Sequence, residues 1–357
     1  MKINHNNFLK LAFNIAKLNL GKTRSNPSVG CVVVKNNSVI SSGYTSTNGR
    51  PHAEFNALNN KKNYKNSDLY VTLEPCTHYG LTPPCTDIII KKGIKRVFYS
   101  FDDKDVRTAN KLRLSLKKRN IKIYKIKTTH FRDFYKSYFL IHTKRNLYID
   151  AKIAISNDYF TIRKNRSKWI TNSFSRNRTH LIRSEYDAVI STSKSINEDN
   201  SMLNCRLDGF NSKKPDLIIV DMNLKIKTKL NLFKNIGKRN ILIVTSVKND
   251  KKIFHLQKRG VKIILINHLK TKNDFENLFD ILKMNHYNRI LVESGLIFLN
   301  QLIKNKLIYN LFLFKSPFSL NKEGKNNISN KFIKKLKLKN KIKVNLNGDK
   351  LYKIKLK

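Results

Sequence analysis

Apolar and polar residues alternate along the first part of the chain with the periods of helices and strands. Apolar residues recur at helical spacing over residues 7–20, and the continuous apolar run at 29–34 predicts a buried strand. Asn36-Asn37 allows the run at 38–43 to return beside that strand. Further helices are predicted at 52–58, 84–92, 108–119 and 130–143, and further strands at 69–73, 95–100 and 121–126. Strands that alternate with helices in this way predict an α/β domain.

The second part of the chain repeats this alternation after a polar junction at residues 144–147. Strand-like runs occur at 147–155, 186–192, 216–221, 240–245, 261–266, 288–293 and 307–314. Helix-like runs occur at 173–183, 248–259, 273–284 and 296–304. The Lys-rich stretch 322–340 predicts a loop with a short helix, and the period-two alternation at 341–346 and 350–356 predicts a closing hairpin around Asn347-Gly348. We therefore predict two α/β domains, residues 1–144 and 145–357.

The charge of the chain is extreme but does not by itself indicate a function. The formal net charge is +48, and a basic surface can bind nucleic acid through its phosphates. Lys is spread over every segment, however, and Asn and Ile are also abundant, which favours drift in an A/T-rich genome as the source of the charge. We expect nonspecific adhesion to RNA from this charge and no specific nucleic-acid partner.

Membrane insertion and secretion are both disfavoured by the sequence. No apolar run approaches the roughly 20 residues that a membrane-spanning helix needs. Lys10 and Asn14 interrupt the N-terminal apolar stretch, so no signal peptide is predicted. The four cysteines do not resemble a disulfide framework, and we expect a cytoplasmic protein in which they stay reduced.

One histidine, one glutamate and two cysteines indicate the chemistry. His52, Cys76 and Cys85 can supply three ligands to a tetrahedral zinc ion and leave a fourth position open for water, whose pKa zinc lowers from about 15.7 to about 7. Glu54 lies two residues beyond His52, where it can move protons rather than bind the metal. The predicted elements place these residues at strand-to-helix junctions, where α/β sheets carry their sites.

The order His-x-Glu, then Pro-Cys and a second Cys, is typical of zinc deaminases that act on nucleobases. Eight residues separate the two cysteines here, a wider loop than the tRNA and cytidine deaminases usually have. The first domain resembles the deaminase half of the bifunctional deaminase/reductases of bacterial riboflavin biosynthesis. The resemblance is carried by Asn26-Pro27-Ser28-Val29-Gly30-Cys31, by Gly49-Arg50-Pro51-His52-Ala53-Glu54 and by the stretch from Val71 to Cys85. It implies a cytidine-deaminase-like α/β/α fold, zinc bound by His52, Cys76 and Cys85, proton transfer by Glu54 and substrate contact by Asn26.

The first domain departs from this family pattern at three places. Thr45 stands where the family usually has His, and Leu81 stands where it usually has Lys or Arg. A cation at position 81 would suit the phosphate of a phosphoribosyl substrate, and the candidates to replace it are nearby Lys or Arg residues, including Arg50. Asn110-Lys111-Leu112 replaces a Gly-Arg-Gly sequence. The resemblance therefore supports the zinc chemistry better than the recognition of the substrate.

The second domain carries weaker motifs. No Gly-x-Gly-x-x-Gly follows a predicted strand, so a Rossmann phosphate loop is not predicted. Glu293-Ser294-Gly295 joins a strand to a helix whose N-terminus can hold a phosphate group. Trp169, the one tryptophan of the chain, fits either core packing or an aromatic wall beside a nicotinamide or ribose.

The same family carries, downstream of its deaminase half, a dihydrofolate-reductase-like α/β domain that binds NADPH. Matching stretches here are Lys152 to Thr161, Ser167 to Thr171, Ser195 to Leu203 and Val292 to Gly295, together with Arg183 and Arg206. The resemblance implies NADPH contacts at Ala154, Trp169, Ser195, Asp199, Gly295, Leu296, Ile297, Phe298, Leu299, Asn300 and Gln301. It implies substrate contacts at Ser167, Arg183, Leu203, Arg206 and Glu293.

Two features of this second resemblance have physical consequences. Two arginines that face one phosphoribosyl group suit its phosphate, because guanidinium groups bind phosphate bidentately. Ser156-Asn157-Asp158-Tyr159 stands where the family reads Ser-Leu-Asp-Gly. The loss of that glycine constrains a turn, because other residues tolerate a positive φ poorly.

We predict a bifunctional enzyme of riboflavin biosynthesis. It would deaminate 2,5-diamino-6-hydroxy-4-(5-phosphoribosylamino)pyrimidine with Zn²⁺ and then reduce the ribosyl group to ribityl with NADPH. The resemblance also implies a homo-oligomer. Three alternatives stay open: a reductase whose deaminase half is inert, a nucleic-acid base deaminase, and a basic RNA-binding protein on the same scaffold. Thr45, Leu81 and Tyr159 favour a decayed scaffold, whereas intact zinc ligands and Glu54 argue against it.

Overall fold

Two large β-sheets organise the chain, one in each of two units that span residues 1–146 and 147–357. The structure, a computed structural model, describes residues 4–109, 111–117, 119–128, 131, 133–144, 146–164, 169–210, 215–248 and 250–357. Among these residues no helix is both long enough and apolar enough to cross a membrane. Both units combine strands with helices, as the alternation in the sequence predicts.

The first unit contains a five-stranded mixed sheet in its described part. Its helices are α1 (His5–Ala16), α2 (Ala53–Leu58), α3 (Cys85–Lys91), α4 (Leu112–Lys117) and α5 (Lys136–Lys144). Its strands are β1 (Gly30–Lys35), β2 (Ser38–Tyr44), β3 (Asp68–Leu73), β4 (Arg96–Phe101) and β5 (Lys122–Lys125), in the order β2-β1-β3-β4-β5. β1 is antiparallel to both of its neighbours, whereas β3, β4 and β5 are parallel. The carboxyl ends of β3 and β4 therefore meet at one edge of the sheet.

Gly30 marks a close contact between α1 and this sheet. A Cβ atom at this position would lie 1.9 Å from the main-chain oxygen of Ala12, so only glycine lets the helix approach β1 this closely. Alternate residues of β1 face opposite sides of the sheet. Val32 packs in the cluster that contains Ala12, and Val33 packs in the cluster that contains Ala57 of α2.

The second unit contains an eight-stranded sheet in its described part. The strands of this unit are β6 (Tyr148–Ile155), β7 (Ile162–Arg163), β8 (Ala188–Thr192), β9 (Asp216–Val220), β10 (Ile241–Thr245), β11 (Lys262–Leu265), β12 (Arg289–Val292), β13 (Asn310–Lys315), β14 (Gly324–Lys325) and β15 (Lys350–Lys355). Its helices are α6 (Ser173–Ser184), α7 (Ser193–Asp199), α8 (Lys251–Lys258), α9 (Lys272–Met284), α10 (Leu296–Lys304) and α11 (Lys331–Lys334). The sheet order is β11-β10-β9-β8-β12-β6-β13-β15, with β7 and β14 paired separately.

The central strands of this sheet are buried on both faces. β8, β9, β10 and β12 are almost continuously buried, which explains why their sequences are apolar runs rather than alternating patterns. The strands are parallel except for β15, which is antiparallel to β13. One core cluster contains Ile190 and Phe275, and the other contains Val189 and Leu256. The sheet therefore separates two hydrophobic cores.

Several element predictions need correction. α4 and α5 are shorter than the predicted helices at 108–119 and 130–143, and the short helix α7 and the small β7–β14 pair were not predicted. Residues 193–199 read as polar, so their helical period was hidden. α7 instead begins at an N-cap, because the hydroxyl of Thr192 accepts a hydrogen bond from the main-chain N–H of Ser195.

The predicted C-terminal hairpin is confirmed only in part. Residues 350–355 form β15, but the ladder of this strand is with β13. Of the predicted partner strand, only the start pairs with β15, through an antiparallel bridge between Lys341 and Tyr352 and the main-chain hydrogen bonds beside it. The side-chain amide of Asn172 donates to the carbonyl oxygens of Leu346 at 2.6 Å and Asn347 at 2.9 Å. These carbonyl groups therefore serve the N-cap residue of α6 instead of a ladder with β15.

The turn after β6 shows the strain that the missing glycine predicts. Tyr159 has φ +68°, a left-handed conformation that is unfavourable for an aromatic residue. Asn326 and Asn330 donate side-chain hydrogen bonds to its carbonyl oxygen at 3.1 Å and 2.9 Å. The ammonium group of Lys315 lies 4.6 Å from the centre of the ring. Contacts from distant segments thus hold Tyr159 in a conformation that glycine would adopt freely.

Candidate active sites

The three predicted zinc ligands meet at one point of the first unit. His52 is the N-cap residue of α2, Cys85 is the first residue of α3, and Cys76 lies just beyond the end of β3. Nδ1 of His52 lies 3.6 Å from Sγ of Cys76 and 3.4 Å from Sγ of Cys85, and the three donor atoms lie within 4.8 Å of one another. Zinc bonds of about 2.3 Å to sulfur and about 2.0 Å to nitrogen require nitrogen–sulfur separations of roughly 3.5 Å in a tetrahedron. The donor set and its spacing therefore fit zinc.

The two thiols of this group differ in acidity. A hydrogen bond from the Cys85 thiol, helped by the His52 ring and opposed by burial, lowers the pKa of Cys76 to about 4. The main-chain N–H of Cys85 also donates to Sγ of Cys76 at 3.2 Å. The bond to Cys76, together with burial, raises the pKa of Cys85. Cys76 is therefore the thiol that ionises first.

Glu54 lies beside these ligands in the first turn of α2 and is buried, with 4% of its surface exposed. Burial, followed by the negative charge of Cys76, raises the pKa of Glu54 to about 7. A carboxyl group that titrates near neutral pH can both accept and return a proton. The position and the acidity of Glu54 therefore suit the proton transfer that the sequence predicts.

A pocket opens in front of His52 and Glu54, and Asn26 is part of its lining. The side-chain amide of Asn26 donates to the carbonyl oxygen of Gly49 at 3.2 Å. Gly49 has φ +90°, and a Cβ atom there would lie 2.2 Å from Nδ2 of Asn26. Glycine is therefore required at position 49 if Asn26 is to keep its place in the pocket.

Three buried polar residues that the sequence analysis did not single out also line the pocket: Glu74, Asp103 and Tyr138. Glu74 accepts hydrogen bonds from the main-chain N–H groups of Asp103 at 3.1 Å and Leu112 at 3.4 Å. Tyr138 of α5 donates to Oδ1 of Asp103 at 2.8 Å. These bonds join the loop after β3 to the loop after β4. The available signal was the position of Asp103, directly after a strand at the ligand-bearing edge.

Thr45 and Leu81, two of the departures from the family pattern, lie in different environments. Thr45 is buried, and its hydroxyl accepts a hydrogen bond from the main-chain N–H of Val29 at 2.9 Å, so it closes the strand pair there. Leu81 is 89% exposed in the loop between the cysteines. Arg50 lines the pocket and donates from Nη1 to the hydroxyl of Thr82 in that same loop. Asn110, part of the third departure, lies outside the described residues.

A second guanidinium group on the pocket belongs to Arg107. Its Nε lies 3.0 Å from Oδ1 of Asp105, and its Nη2 lies 2.5 Å from Oδ2. The hydrogen bonds from Arg107 lower the pKa of Asp105 to about 2. Because Asp105 matches its charge, Arg107 offers a phosphate group less net attraction than an unmatched cation would.

In the second unit, two of the predicted substrate residues form an ion pair that is largely shielded from solvent. Glu293 accepts hydrogen bonds from Arg183, at 2.5 Å between Oε1 and Nε and at 3.0 Å between Oε2 and Nη2. Nζ of Lys152 lies 3.7 Å from Oε2 of Glu293. Burial alone would raise the pKa of Glu293, but the charges of Arg183 and Lys152 lower it below its usual value. Burial lowers the pKa of Lys152, although the charge of Glu293 opposes this effect.

Lys152 has no predicted role, because it stands only at the start of a stretch that matches the family. A signal was present, because Asp150 and Lys152 are the charged residues of the otherwise apolar strand β6. The bidentate edge of Arg183 that phosphate was expected to take is in contact with Glu293. The remaining amino group, Nη1, donates to the carbonyl oxygen of Asn204 at 3.1 Å.

Leu203 and Arg206 lie on one loop, next to that carbonyl group. Leu203 is buried, whereas Arg206 is exposed and donates from Nη1 to Oδ1 of Asn204 at 2.6 Å. Arg183, Arg206 and Glu293 are therefore brought together through Asn204, which the sequence analysis missed. Ser167, the remaining predicted substrate contact, lies outside the described residues.

The predicted cofactor residues divide by position. Ser195 of α7 accepts a hydrogen bond at Oγ from the main-chain N–H of Gly295 at 3.2 Å, which joins the start of α7 to the start of α10. The charge of Asp199 raises the pKa of Lys152 against the effect of burial, so α7 also borders the ion-pair group. Ala154 of β6 is half-buried against the core. Trp169 is 60% exposed, with the guanidinium carbon of Arg176 4.8 Å from its ring centre, so the core-packing interpretation of Trp169 is wrong.

The segment from Gly295 to Gln301 needs a correction in how it would contact a cofactor. Leu296, Phe298 and Leu299 are buried in the core, so their side chains face away from solvent. Ile297 is 45% exposed, and Asn300 and Gln301 are half-buried on α10. For the three core residues only main-chain contacts to NADPH remain as predictions.

Comparisons with known proteins cover both units. The RibD C-terminal domain family matches residues 147–348, and the zinc-binding region of cytidine and deoxycytidylate deaminases matches residues 2–101. The riboflavin biosynthesis protein RibD of Aquifex aeolicus is 32% identical over 314 residues, which cover 87% of this chain and 86% of that protein. RibD of Escherichia coli is 26% identical over 332 residues and covers 89% of each.

Solved structures agree with this similarity over almost the whole chain. RibD of Acinetobacter baumannii is 25% identical with a TM-score of 0.82, and the match covers 98% of each chain. A diaminohydroxyphosphoribosylaminopyrimidine deaminase/5-amino-6-(5-phosphoribosylamino)uracil reductase of Thermotoga maritima is 25% identical with a TM-score of 0.81 and the same coverage. The fold of a deaminase joined to a reductase is therefore shared along the full length.

Proposed function

Because this chain belongs to the RibD family of bifunctional deaminase/reductases of riboflavin biosynthesis, which use Zn²⁺ and NADPH, we propose that its two units act in turn on one phosphoribosyl pyrimidine. The substrate would be 2,5-diamino-6-hydroxy-4-(5-phosphoribosylamino)pyrimidine, the compound class named for the Thermotoga maritima enzyme. Residues 1–144 would remove its 2-amino group, and residues 145–357 would reduce its ribosyl group to ribityl.

One observation carries the proposal for the first step: three zinc-type donor atoms within 4.8 Å of one another with a buried carboxyl group beside them. His52, Cys76 and Cys85 would hold the ion. Zinc in this position would supply a Lewis acid that makes water acidic enough to attack near neutral pH.

Glu54 would carry the protons of this step. It would accept one proton from the attacking water and pass it to the ring nitrogen. It would then accept the proton of the new hydroxyl group and pass it to the departing amine, which returns Glu54 to its starting state. Water is consumed and ammonia is released, so the atoms balance. The raised pKa of Glu54, about 7, supports this role because transfer in both directions needs an acidity near that of the medium. Asn26 and Gly49 would orient the pyrimidine.

Arg50 is our candidate for the cation that binds the substrate phosphate in the first unit. It lines the pocket and is held by Thr82, next to the exposed Leu81. Arg107 on the same pocket already pairs with Asp105. A guanidinium group of fixed orientation suits phosphate.

In the second unit the ion-pair group of Lys152, Arg183 and Glu293 would hold the sugar. Bound NADPH supplies the hydride, which is the chemistry of the cofactor. As hydride reaches C1 of the ribosyl group, the bond from C1 to the ring oxygen breaks and that oxygen takes a proton. Lys152 is the donor that we assign, because it lies half-buried beside Glu293 and its pKa is lowered. Ser195, Asp199 and the main chain at Gly295 would line the NADPH site.

The protein's setting follows from the same chemistry. A site that depends on free thiols requires a reducing compartment, for which the cytoplasm is the default. The four cysteines Cys31, Cys76, Cys85 and Cys205 are free. A homo-oligomer and the absence of a specific nucleic-acid partner remain proposals based on the family resemblance and on the even spread of charge.

Ammonia release from the diaminopyrimidine substrate without NADPH tests the proposal. The zinc-loaded wild type should release ammonia, and Glu54→Gln should reduce the rate by about 10²–10⁴-fold, the usual contribution of general acid–base catalysis. Zinc content and NADPH oxidation on the deaminated intermediate serve as controls and should be equal in both proteins. No ammonia release from zinc-loaded wild type would contradict the bifunctional proposal and leave a reductase with an inert first unit.

A further inference from the structure

Arg239 is a buried guanidinium group that none of the proposed steps uses. It lies just before β10, and 8% of its surface is exposed. Its Nη1 donates to the carbonyl oxygens of Leu203 and Pro215, both at 2.9 Å, and its Nη2 donates to the carbonyl oxygen of Met202. One side chain thus binds two consecutive carbonyl groups of the 202–206 loop, which carries Leu203 and Arg206.

The 202–206 loop is also held by two residues of α6. The ring of His180 donates from Nδ1 to the carbonyl oxygen of Asn204 at 2.9 Å, and Arg183 donates to the same oxygen at 3.1 Å. Burial, followed by the charges of Arg183 and Arg206, lowers the pKa of His180 to about 4. Three successive carbonyl groups of the loop are therefore bound by side chains from separate elements.

These contacts hold the loop in an unfavourable backbone conformation and bring like charges close together. Leu203 has φ +48°, a left-handed conformation that a non-glycine residue keeps only where its surroundings enforce it. Burial lowers the pKa of Arg239 to about 10; the charge of Asp216 opposes this effect, and the charges of Arg183 and Arg206 add to it. Three guanidinium groups therefore lie near enough to repel one another around one short loop. A loop held this firmly is expected where its residues must keep one fixed orientation towards a ligand.

We propose that Arg239 is a positioning residue of the reductase site, which fixes the 202–206 loop so that Arg206 and the main chain of Leu203 face the phosphoribosyl substrate. The inference rests on the proposed reductase function for its substrate. It adds a residue that touches neither substrate nor NADPH and acts through the main chain of the loop. Its effect should fall on the binding of substrate and leave the binding of NADPH unchanged.

The test compares Arg239→Met and Arg239→Lys in the full chain. Arg239→Met keeps much of the apolar stem but removes the hydrogen bonds, and Arg239→Lys keeps the charge with a single donor group. Arg259→Met is the matched control, because Arg259 also donates to a main-chain carbonyl, that of Thr228 at 3.0 Å, and lies over Phe233 in the same unit. The measurements are KM and kcat for the deaminated substrate, Kd for NADPH, the melting temperature and hydrogen exchange of residues 200–207.

We expect Arg239→Met to raise KM by at least about tenfold with kcat within about threefold, the pattern of lost uniform binding. NADPH affinity should stay unchanged, residues 200–207 should exchange faster, and Arg239→Lys should give an intermediate KM. The control should alter neither KM nor that exchange. A merely structural role would lower the melting temperature and weaken substrate and NADPH alike, and that result overturns the inference. Unchanged KM together with unchanged exchange overturns it as well.

A failure of the proposed reductase function is recognised separately, because wild type would then oxidise no NADPH. Ribose 5-phosphate then replaces the substrate as the probe. Protection of residues 200–207 by this compound in wild type, lost in Arg239→Met, still supports the positioning role. Equal exchange in the two proteins, with and without the compound, rejects it.

Discussion

The two halves of the chain build their sites in opposite ways. In the first unit, three donor atoms lie within 4.8 Å, and they come from residues at the ends of short neighbouring elements. In the second unit, Lys152, Arg183 and Glu293 come from β6, α6 and the end of β12, far apart in sequence. The first site is recognisable as a motif, and the second is recognisable only after folding.

This difference follows from the interactions that each site uses. Metal–ligand distances are fixed to about 0.2 Å, so a zinc site restricts both residue type and spacing. Ion pairs and main-chain contacts to a cofactor tolerate more variation in residue type, so they leave a thin pattern in the sequence. Changes in the two units should therefore differ in size and should separate the two activities.

Cys76→Ser should give the largest effect. Loss of this ligand should release zinc, and ammonia release should fall by at least about three orders of magnitude, because water returns from a pKa of about 7 towards about 15.7. NADPH oxidation on the deaminated intermediate should stay within about twofold. Zinc analysis and the two activity assays check the prediction, and Cys31→Ala, a buried thiol of β1 outside the ligand group, is the matched control. Ammonia release that survives without zinc would contradict the metal-dependent step.

Glu293→Ala should have the next largest effect, confined to the second unit. It leaves Arg183 and Lys152, which are largely shielded from solvent, without their shared carboxylate, and the free energy of unfolding should fall by about 3 kcal/mol. NADPH oxidation should be lost while ammonia release continues. The control is Glu323→Ala, which breaks the exposed pair with Arg163 and should cost about 1 kcal/mol or less. Equal losses of stability in the two variants, measured by urea unfolding, would show that the buried group is not a special contributor.

His180 should make the stability of the second unit depend on pH. Its pKa is lowered by burial, and by the charges of Arg183 and Arg206, to about 4, so the unfolded chain binds a proton first as the pH falls. Stability should therefore fall between about pH 6.5 and pH 4 and be independent of this group at higher pH. Urea unfolding measured at several pH values across this range should show that the free energy of unfolding depends less steeply on pH in His180→Gln than in wild type. An identical slope in the variant would exclude His180 as a contributor.

Leu81→Lys should produce the smallest change. Leu81 is 89% exposed, so a lysine there adds a solvated charge worth about 1 kcal/mol or less. With Arg50 already on the pocket, KM for the diaminopyrimidine should fall by less than about fivefold. Arg50→Ala is the companion variant and should raise KM more than Leu81→Lys lowers it. If the order of these effects is reversed, Arg50 does not replace the missing cation.

Much of the fold could be predicted from the sequence because the central strands are apolar runs bounded by polar residues. The exceptions have physical causes. Residues 341–346 alternate like a strand, but the carbonyl group of Leu346 is taken by Asn172, a partner distant in sequence. α7 is polar and begins at a cap rather than with an apolar stripe.

The sites divide in the same way. The grouping of His52, Glu54, Cys76 and Cys85 could be predicted from their order and spacing. Tyr138 and Arg239 could not, because each acts through hydrogen bonds to residues distant in sequence, which no local pattern reveals. No local sequence pattern predicts the pairing of Arg183 with Glu293, which joins two separately predicted substrate contacts in one ion pair.

The order of strands in the second sheet also determines when the second unit can fold while the chain is being synthesised. β6 is the first strand of that unit, yet it lies between β12 and β13, and β12 begins only at Arg289. At roughly 5–20 residues per second, a ribosome needs on the order of 7–27 s to reach β12 from the end of β6. Throughout that interval both edges of the apolar strand β6 lack their partner strands. This stage is therefore the one most exposed to aggregation. The first unit needs no later segment for its own sheet, so on a growing chain we expect deamination to become available before reduction.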